Sequence, residues 1–208
     1  MDPALAALLT RIRACRICRD APIGRPLPHE PRPVVVASSR ARVLIAGQAP
    51  GTKVHASGIP FDDRSGDRLR DWMGVTRAQF YDADNFAIVP MGFCFPGLDA
   101  KGSDLPPRRE CAPTWRAPLL ALMPQVELVL AVGGYAQAWH MAHMGVRRGA
   151  SLTETVAGWR TALAGDASPR VLPLPHPSWR TLAWAKRNPW FEREVIPELR
   201  RRVRALLA

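Results

Sequence analysis

The sequence predicts an α/β protein with one domain and three layers, in which a central four-stranded parallel sheet lies between helices. Four apolar runs carry this prediction, at residues 43–47, 86–91, 127–132 and 171–174. Apolar runs that end in Gly or Pro are typical of strands buried on both faces. Helical patterns alternate with them along the whole chain. The 208 residues, 47% of them hydrophobic, can bury one core, so we treat residues 1–208 as one domain.

The N-terminal half offers several further elements. Asp2 and Pro3 resemble a helix cap followed by a first-turn proline, and the apolar residues up to Ile12 mark one helical face. Residues 19–41 are rich in Pro and Arg and predict a surface connection, with a run at 34–36 compatible with a short strand. Residues 52–67 predict a loop, and residues 68–73 predict a helix.

The second half continues the alternation. Residues 92–113 predict an irregular segment, and residues 115–123 and 135–144 predict helices around the third strand. A last helix opens at Asn188-Pro189 and places apolar residues at helical spacing up to Leu206. Pro197 lies inside this pattern and predicts a kink or a new helix start.

The charge balance favours a polyanionic partner. Lys and Arg number 29 and Asp and Glu number 18, which gives a net charge of +11. Nucleic acid is the first candidate for such a surface. No apolar run approaches the roughly 18 residues of a membrane span, and the N-terminus does not resemble a signal peptide. We therefore expect a cytoplasmic protein that acts as a monomer.

Four cysteines predict a metal centre. Cys15 and Cys18 form a C-x2-C pair, and Cys94 and Cys111 follow in a distant loop. Disulfides are uncommon in a reducing compartment, whereas four thiolates suit either zinc or a [4Fe–4S] cluster. The residues alone leave these two alternatives open.

Two turns at strand ends predict a pocket. Gly47-Gln48-Ala49-Pro50-Gly51 follows the first strand, and His176-Pro177-Ser178 follows the fourth. Open α/β sheets bind ligands at the carboxyl ends of their strands. We therefore expect these two turns, called motif one and motif two below, to face each other across one pocket.

Motif one and motif two resemble the two signature motifs of the uracil-DNA glycosylase superfamily. The stretches Gly58-Ile59-Pro60-Phe61 and Ser65-Gly66-Asp67-Arg68-Leu69 resemble the family 4, iron–sulfur type, whose cysteine spacing is also similar. The stretch Lys186-Arg187-Asn188-Pro189-Trp190-Phe191 resembles a less studied bacterial branch of that superfamily. The resemblance extends from Cys15 to the last helix and favours iron–sulfur over zinc at the cysteines.

The resemblance implies a monofunctional enzyme that flips uracil out of DNA and hydrolyses its N-glycosidic bond. Phe61 would stack on the base, and His176 would donate a hydrogen bond to the uracil O2 as negative charge develops. Backbone N–H groups of Gln48 and Ala49 would hold the base or the attacking water. The superfamily's DNA-contacting and base-binding positions correspond here to the residues Gly47, Pro50, Gly51, Ser178, Trp179 and Arg180.

Two positions depart from the superfamily pattern. Ala49 and Gln48 stand where other members carry the Asp or Glu that orients water, so Asp62, Asp63 or His55 becomes the substitute candidate. Pro90 stands where an Asn usually reads uracil, so backbone groups of Met91 or Gly92 would have to supply those contacts.

These departures leave two alternatives to uracil removal. The enzyme could act on another deaminated base, hypoxanthine or xanthine. Alternatively, the protein could bind damaged DNA without turnover. A general nucleotide-binding enzyme is disfavoured because no glycine-rich phosphate loop follows the first strand.

Overall fold

The computed structural model of the chain describes residues 2–164 and 168–208. Four strands, β1 (Val43–Ala46), β2 (Phe86–Ile88), β3 (Leu128–Val132) and β4 (Arg170–Leu174), form one sheet. Their order is β2-β1-β3-β4, and every neighbouring pair is parallel. The predicted fold class is confirmed.

Eleven helices in the described part of the chain surround this sheet. They are α1 (Pro3–Arg13), α2 (Ile17–Asp20), α3 (Thr52–Ser57), α4 (Arg64–Met73), α5 (Arg77–Tyr81), α6 (Cys111–Ala121), α7 (Gly134–His143), α8 (Leu152–Ala157), α9 (Trp159–Ala164), α10 (Arg180–Arg187) and α11 (Ile196–Leu207). A π-helical turn at Phe191–Val195 runs directly into α11. The predicted new start at Pro197 is confirmed, because Pro197 occupies the first turn of α11, where its missing N–H costs nothing.

The strands alternate their side chains between two cores. Leu44 and Ala46 pack into a core formed with α1, α6 and α7, whereas Val43 and Ile45 face α4, the π-helical turn and α11. All four of these side chains are fully buried. This two-sided burial explains why the first strand reads as an unbroken apolar run.

The chain leaves β1 toward β2 on one side and later enters β3 on the other side of β1. The crevice at the carboxyl ends of β1 and β3 is therefore the point where an open α/β sheet binds ligands. Motif one leaves β1 there, Gly133 leaves β3 there, and motif two leaves β4 at the same edge.

Several predicted boundaries were wrong. Residues 52–67 contain α3 and the start of α4, because α3 buries only Val54 and so shows no apolar period. The run at 34–36 forms a single antiparallel bridge, between Val36 and Ile88, and no strand. Cys111 opens α6 and does not lie in an irregular segment. Short helices such as α10 were missed, because α10 buries only Thr181 and Ala185.

Candidate active site

Motif one and motif two meet at one cavity, as the sequence predicted. The cavity has a volume of about 220 Å³ and lies at the carboxyl edge of the sheet. Its lining combines the two motifs with the loop around Phe61, the end of β2 and a loop residue from far along the chain. These residues are Val34, Gly47, Gln48, Ala49, Pro50, Gly51, Val54, Pro60, Phe61, Asp63, Ser65, Ile88, Pro90, Asp104, His176 and Ser178.

Backbone hydrogen bonds from the chain after β2 fix the shape of motif one. The N–H of Met91 donates to the Gly47 carbonyl over 2.8 Å, and the N–H of Gly92 donates to the Gln48 carbonyl over 2.9 Å. These two N–H groups are therefore not free to read a base, so the expected contacts from Met91 could come from its carbonyl but not from its N–H. In the described chain, the N–H groups of Gln48 and Ala49 have no such acceptor and can donate into the cavity.

Phe61 is held in a strained conformation beside the cavity. It has a φ of +54°, which a non-glycine residue rarely adopts. Its carbonyl accepts hydrogen bonds from the Tyr81 hydroxyl (3.2 Å) and from Arg70 (3.5 Å). Gly66 packs so tightly against that carbonyl that an added Cβ would lie 1.8 Å from the oxygen. Surroundings that fix a strained aromatic ring at a cavity are typical of a binding surface.

The turn of motif two is fastened from both sides. The Thr181 hydroxyl donates to the His176 carbonyl, and Arg68 donates to the carbonyls of Pro177 and Ser178. Gly133 lies against the other side with a φ of +81°, and a Cβ there would come within 3.6 Å of the His176 Cβ. These contacts fix the direction in which the imidazole enters the cavity.

The surroundings of His176 favour a neutral imidazole. His176 is exposed at the cavity, although protein atoms lie close enough to its ring to desolvate it. This desolvation lowers the pKa of His176, while the carboxylates of Asp63 and Asp104 act in the opposite direction. A neutral imidazole can donate a hydrogen bond to a carbonyl oxygen without transferring a proton.

Asp104 is the residue that the sequence reasoning missed. It lies in a small hairpin in which Leu98 and Asp104 form an antiparallel bridge and the Asp99 side chain accepts from two N–H groups of the turn. The Asp104 carboxylate lines the cavity opposite Gly51, where an added Cβ would lie 3.4 Å from its Oδ2. Desolvation raises the pKa of Asp104, and the nearby His176 opposes that shift. A carboxylate of raised pKa beside a neutral His is suited to accept a proton from water.

Gln48 turns its side chain toward this hairpin. Its Nε2 donates to the Leu105 carbonyl over 3.1 Å. The amide therefore connects motif one to the segment that carries Asp104. The sequence does contain a signal for this hairpin. The stretch Asp99-Ala100-Lys101-Gly102, between Cys94 and Cys111, has the composition of a tight turn.

The other candidates for a water-orienting group have different surroundings. Asp62 lies outside the cavity lining and pairs with Arg77 over 2.9 Å, which lowers the pKa of Asp62. His55 packs against His29, with ring centroids 4.4 Å apart, and also lies outside the lining. Asp63 lines the cavity, but its Oδ1 caps α4 by accepting from the Gly66 N–H over 2.9 Å. Asp104 is therefore the better-situated carboxylate.

Of the three residues expected to contact DNA in or directly after motif two, one lines the cavity and two follow it in the chain. Ser178 lines the cavity itself. Trp179 is 73% exposed, and the Arg180 guanidinium lies 5.4 Å from the centre of its ring. An exposed aromatic ring beside a cation is a surface that nucleic acid can use.

The four cysteines converge at a second cavity. Cys15, Cys18, Cys94 and Cys111 all line it, together with apolar side chains and an Arg108–Glu110 ion pair. The Phe93 N–H points at the Cys111 sulfur and the Trp115 indole N–H at the Cys15 sulfur, each over 3.3 Å. Burial raises the pKa of Cys94 and of Cys111 to about 12.

The sulfur atoms surround this cavity and are not gathered at one point. Over residues 2–164 and 168–208, no group of three or more His, Cys, Asp or Glu is close enough to hold a single metal ion. A single zinc ion needs all its thiolates about 2.3 Å from one centre, whereas a cluster of four irons takes one thiolate at each iron.

Comparison with known families places most of the chain in one superfamily. The family model described as the uracil DNA glycosylase superfamily matches residues 34–200, which is most of the chain. The matched range contains motif one, Phe61, Asp104 and motif two. In the part of the chain that the structure describes, no helix is long and apolar enough to cross a membrane.

Proposed function

The chain belongs to the uracil-DNA glycosylase superfamily, and on this premise we propose that it removes uracil from DNA by hydrolysing the N-glycosidic bond. One observation carries the proposal: motif one, Phe61, Asp104 and His176 line the same cavity. This cavity has an aromatic wall, a neutral hydrogen-bond donor and a carboxylate, which are the groups that base removal requires.

The proposed reaction begins with a flipped base in the cavity. The ring stacks on Phe61, and the N–H groups of Gln48 and Ala49 hold its polar edge. The bond between C1′ of the sugar and N1 of the base breaks with its electron pair going to the base. His176 donates a hydrogen bond to the O2 atom, where the negative charge develops.

Water then completes the reaction. Its oxygen bonds to C1′ of the cationic sugar, and Asp104 accepts the proton that the water loses. Because the sugar is already electron-deficient, a correctly positioned water needs only weak base assistance. A carboxylate contributed by the hairpin would explain how this chain does without an acidic residue in motif one.

A second candidate substrate follows from Pro90. Pro90 lines the cavity with neither a side-chain amide nor an N–H, and its carbonyl already accepts from Arg116 over 2.5 Å. The position that reads uracil in other members therefore offers no base-specific contact here. Hypoxanthine or xanthine is the alternative substrate.

The test is base release from oligonucleotides that carry one uracil, one hypoxanthine or one xanthine, followed by alkaline cleavage of the abasic product. Cleavage at uracil is the expected result. Cleavage only at another base would reassign the substrate, and tight binding to damaged DNA without cleavage would favour the non-catalytic sensor. A DNA strand without a damaged base is the control.

We also propose that Cys15, Cys18, Cys94 and Cys111 hold a [4Fe–4S] cluster, as in the family 4 type. The convergence of four sulfur atoms at one cavity and two N–H groups pointing at sulfur support this proposal. A bound cluster would link the N-terminal helices to the segment that carries Asp104. The monomeric state and the cytoplasmic location stay predictions.

Metal analysis of anaerobically purified protein tests the cluster. About four irons and four sulfides per chain, with absorbance near 400 nm, are expected for this cluster type. Colourless protein that contains zinc would overturn the proposal. Cys94→Ser should lower the iron content, whereas Ser103→Ala on the hairpin should leave it unchanged.

A further inference from the structure

Arg116 is the largest fully buried side chain in the described part of the protein, with no exposed surface. Its Nη2 donates to the Val89 carbonyl over 3.0 Å and to the Pro90 carbonyl over 2.5 Å. Its Nη1 meets Nε2 of His140 at 2.9 Å. Both carbonyls belong to the chain that leaves β2 toward the base cavity.

The Arg116 guanidinium pairs with no carboxylate in the described chain, and the acidic group whose charge acts on its pKa is the Cys111 thiol, a proposed cluster ligand. The contacts of the guanidinium are carbonyls, an imidazole and the ring of Trp139. Burial lowers the pKa of Arg116 to about 10, so the guanidinium stays charged at neutral pH. Burial also lowers the pKa of His140, to about 2, so its ring is neutral. Buried cations are usually paired, so this one calls for an explanation.

The base cavity, in contrast to the site of Arg116, has negative groups in the wall that the structure describes and lacks positive charge there. Among the residues that the structure describes, no Lys or Arg lines it, whereas the two carboxylates Asp63 and Asp104 do. His176 is neutral and supplies a hydrogen bond without a full positive charge. When the N-glycosidic bond breaks, a further negative charge develops on the base, so the cavity needs positive charge from behind its walls.

Arg116 meets this need better than Arg68 or Arg70, two other cations near the cavity. Arg70 is buried and donates to the Phe61 carbonyl, but its charge is already paired with Asp67 over 2.6 Å. Arg68 donates to motif two but is partly exposed, so solvent screens its charge. The Arg116 guanidinium lies against the Pro90 carbonyl, directly behind a residue of the cavity wall. Because it is fully buried, its field reaches the cavity through protein and with little screening.

We propose that Arg116 stabilises the anion that forms on the departing base, acting across the chain segment at Pro90. This inference rests on the proposed function. Arg116 does not touch the base, so it is a positioning residue that fixes both the end of β2 and the sign of the local field. The electron pair of the C1′–N1 bond goes to the base, and the resulting anion is the charge that Arg116 offsets.

The test compares two leaving groups in two matched variants. Fluorine at C5 withdraws electrons, so 5-fluorouracil departs as a more stable anion than uracil. Arg116→Gln keeps hydrogen-bond donors and loses the charge, and Arg116→Lys keeps the charge with fewer donors. We expect Arg116→Gln to slow release of uracil about tenfold more than release of 5-fluorouracil, and Arg116→Lys to keep the wild-type ratio.

Equal losses for both bases in Arg116→Gln, or a Lys variant that behaves like the Gln variant, would reduce Arg116 to a purely structural role. A wild-type protein that releases neither base would instead overturn the proposed function itself.

A measurement on wild-type protein covers the case in which the variants fail to fold. The free base 5-nitrouracil is a much stronger acid than uracil and ionises at mildly acidic pH, where uracil stays neutral. If Arg116 makes the cavity electropositive, inhibition by 5-nitrouracil should tighten relative to uracil as the pH rises through its ionisation. Relative weakening over that range would contradict the proposal.

Discussion

Gly66 offers a sharp test of how the site is held, because local and tertiary effects predict opposite signs there. Gly66 lies inside α4, and replacing a helical glycine by alanine usually stabilises a helix by about 1 kcal/mol. Here, however, a Cβ would lie 1.8 Å from the Phe61 oxygen and 2.8 Å from the Phe61 carbonyl carbon. The Phe61 carbonyl would therefore have to retreat by roughly an ångström to relieve the overlap.

The cost can be worked from the contacts of that carbonyl. Its retreat breaks the hydrogen bond from the Tyr81 hydroxyl and the one from Arg70, at about 1 kcal/mol each. The half-buried Tyr81 hydroxyl loses its acceptor, whereas Arg70 keeps its bonds to Tyr81 and Asp67. Further strain falls on a residue already at a φ of +54°. After the helix-propensity gain, we expect Gly66→Ala to lower the free energy of unfolding by about 2–4 kcal/mol.

Thermal unfolding measures the loss of stability in Gly66→Ala, and base release measures the effect of the displaced Phe61 on activity. For a chain of this size, the loss corresponds to a fall in Tm of about 5–15 °C. The Phe61 ring would leave its position in the cavity, so kcat/KM should fall at least tenfold. Gly134→Ala is the matched control, because Gly134 also lies in a helix but a Cβ there meets nothing within 4 Å. A Tm of Gly66→Ala at or above that of the wild type would refute the reasoning.

Three further outcomes follow from the site. His176→Ala should lower kcat about 10²–10³-fold without a large change in Tm. His176→Gln keeps a hydrogen-bond donor and should recover part of the lost kcat. Unchanged turnover in His176→Ala would remove His176 from the mechanism. Desolvation raises the pKa of Asp104, and only its ionised form can accept the proton from water. Activity should therefore fall with decreasing pH at a value above the usual carboxyl range, and Asp104→Asn should abolish this fall at acid pH. The same fall in the Asn variant would assign it to another group. Gln48→Ala should lower the rate of base release, by less than Asp104→Asn does, because the hairpin loses its hydrogen bond to motif one. Gln48→Glu should lower the rate in the same way, because Glu has no N–H to donate to the Leu105 carbonyl. Normal rates in both variants would show that this hydrogen bond is dispensable.

Much of the fold follows from short-range pattern. Strands β1, β3 and β4 are buried on both faces, so each shows an apolar run that Gly or Pro ends. The adjacency of motif one and motif two also follows, because carboxyl ends of parallel strands share one edge. By contrast, α3 and α10 bury one or two residues each and therefore leave no periodic signal.

The roles of single residues followed less well from the sequence. Asp62 and Asp63 are close to motif one in sequence, yet one pairs with Arg77 and the other caps a helix. The N–H of Met91 donates to the Gly47 carbonyl of motif one and is therefore not free to contact a base. The sequence shows which groups are close along the chain. It does not show which hydrogen-bond or ion-pair partner each side chain has, because side-chain direction depends on packing.

The sequence by itself determined the parallel sheet, the pocket between two turns, and Phe61 and His176 as its lining. Only the tertiary structure decided that Asp104, more than fifty residues after motif one, adds its carboxylate to that of Asp63 there. It also decided that Arg116 is buried behind Pro90 with no carboxylate partner in the described chain. The physical reason is that a strand buried on both faces needs consecutive apolar residues, and such a run is visible in the local sequence. A carboxylate in a loop or an arginine in a helix has the same local appearance whether solvent or a cavity faces it.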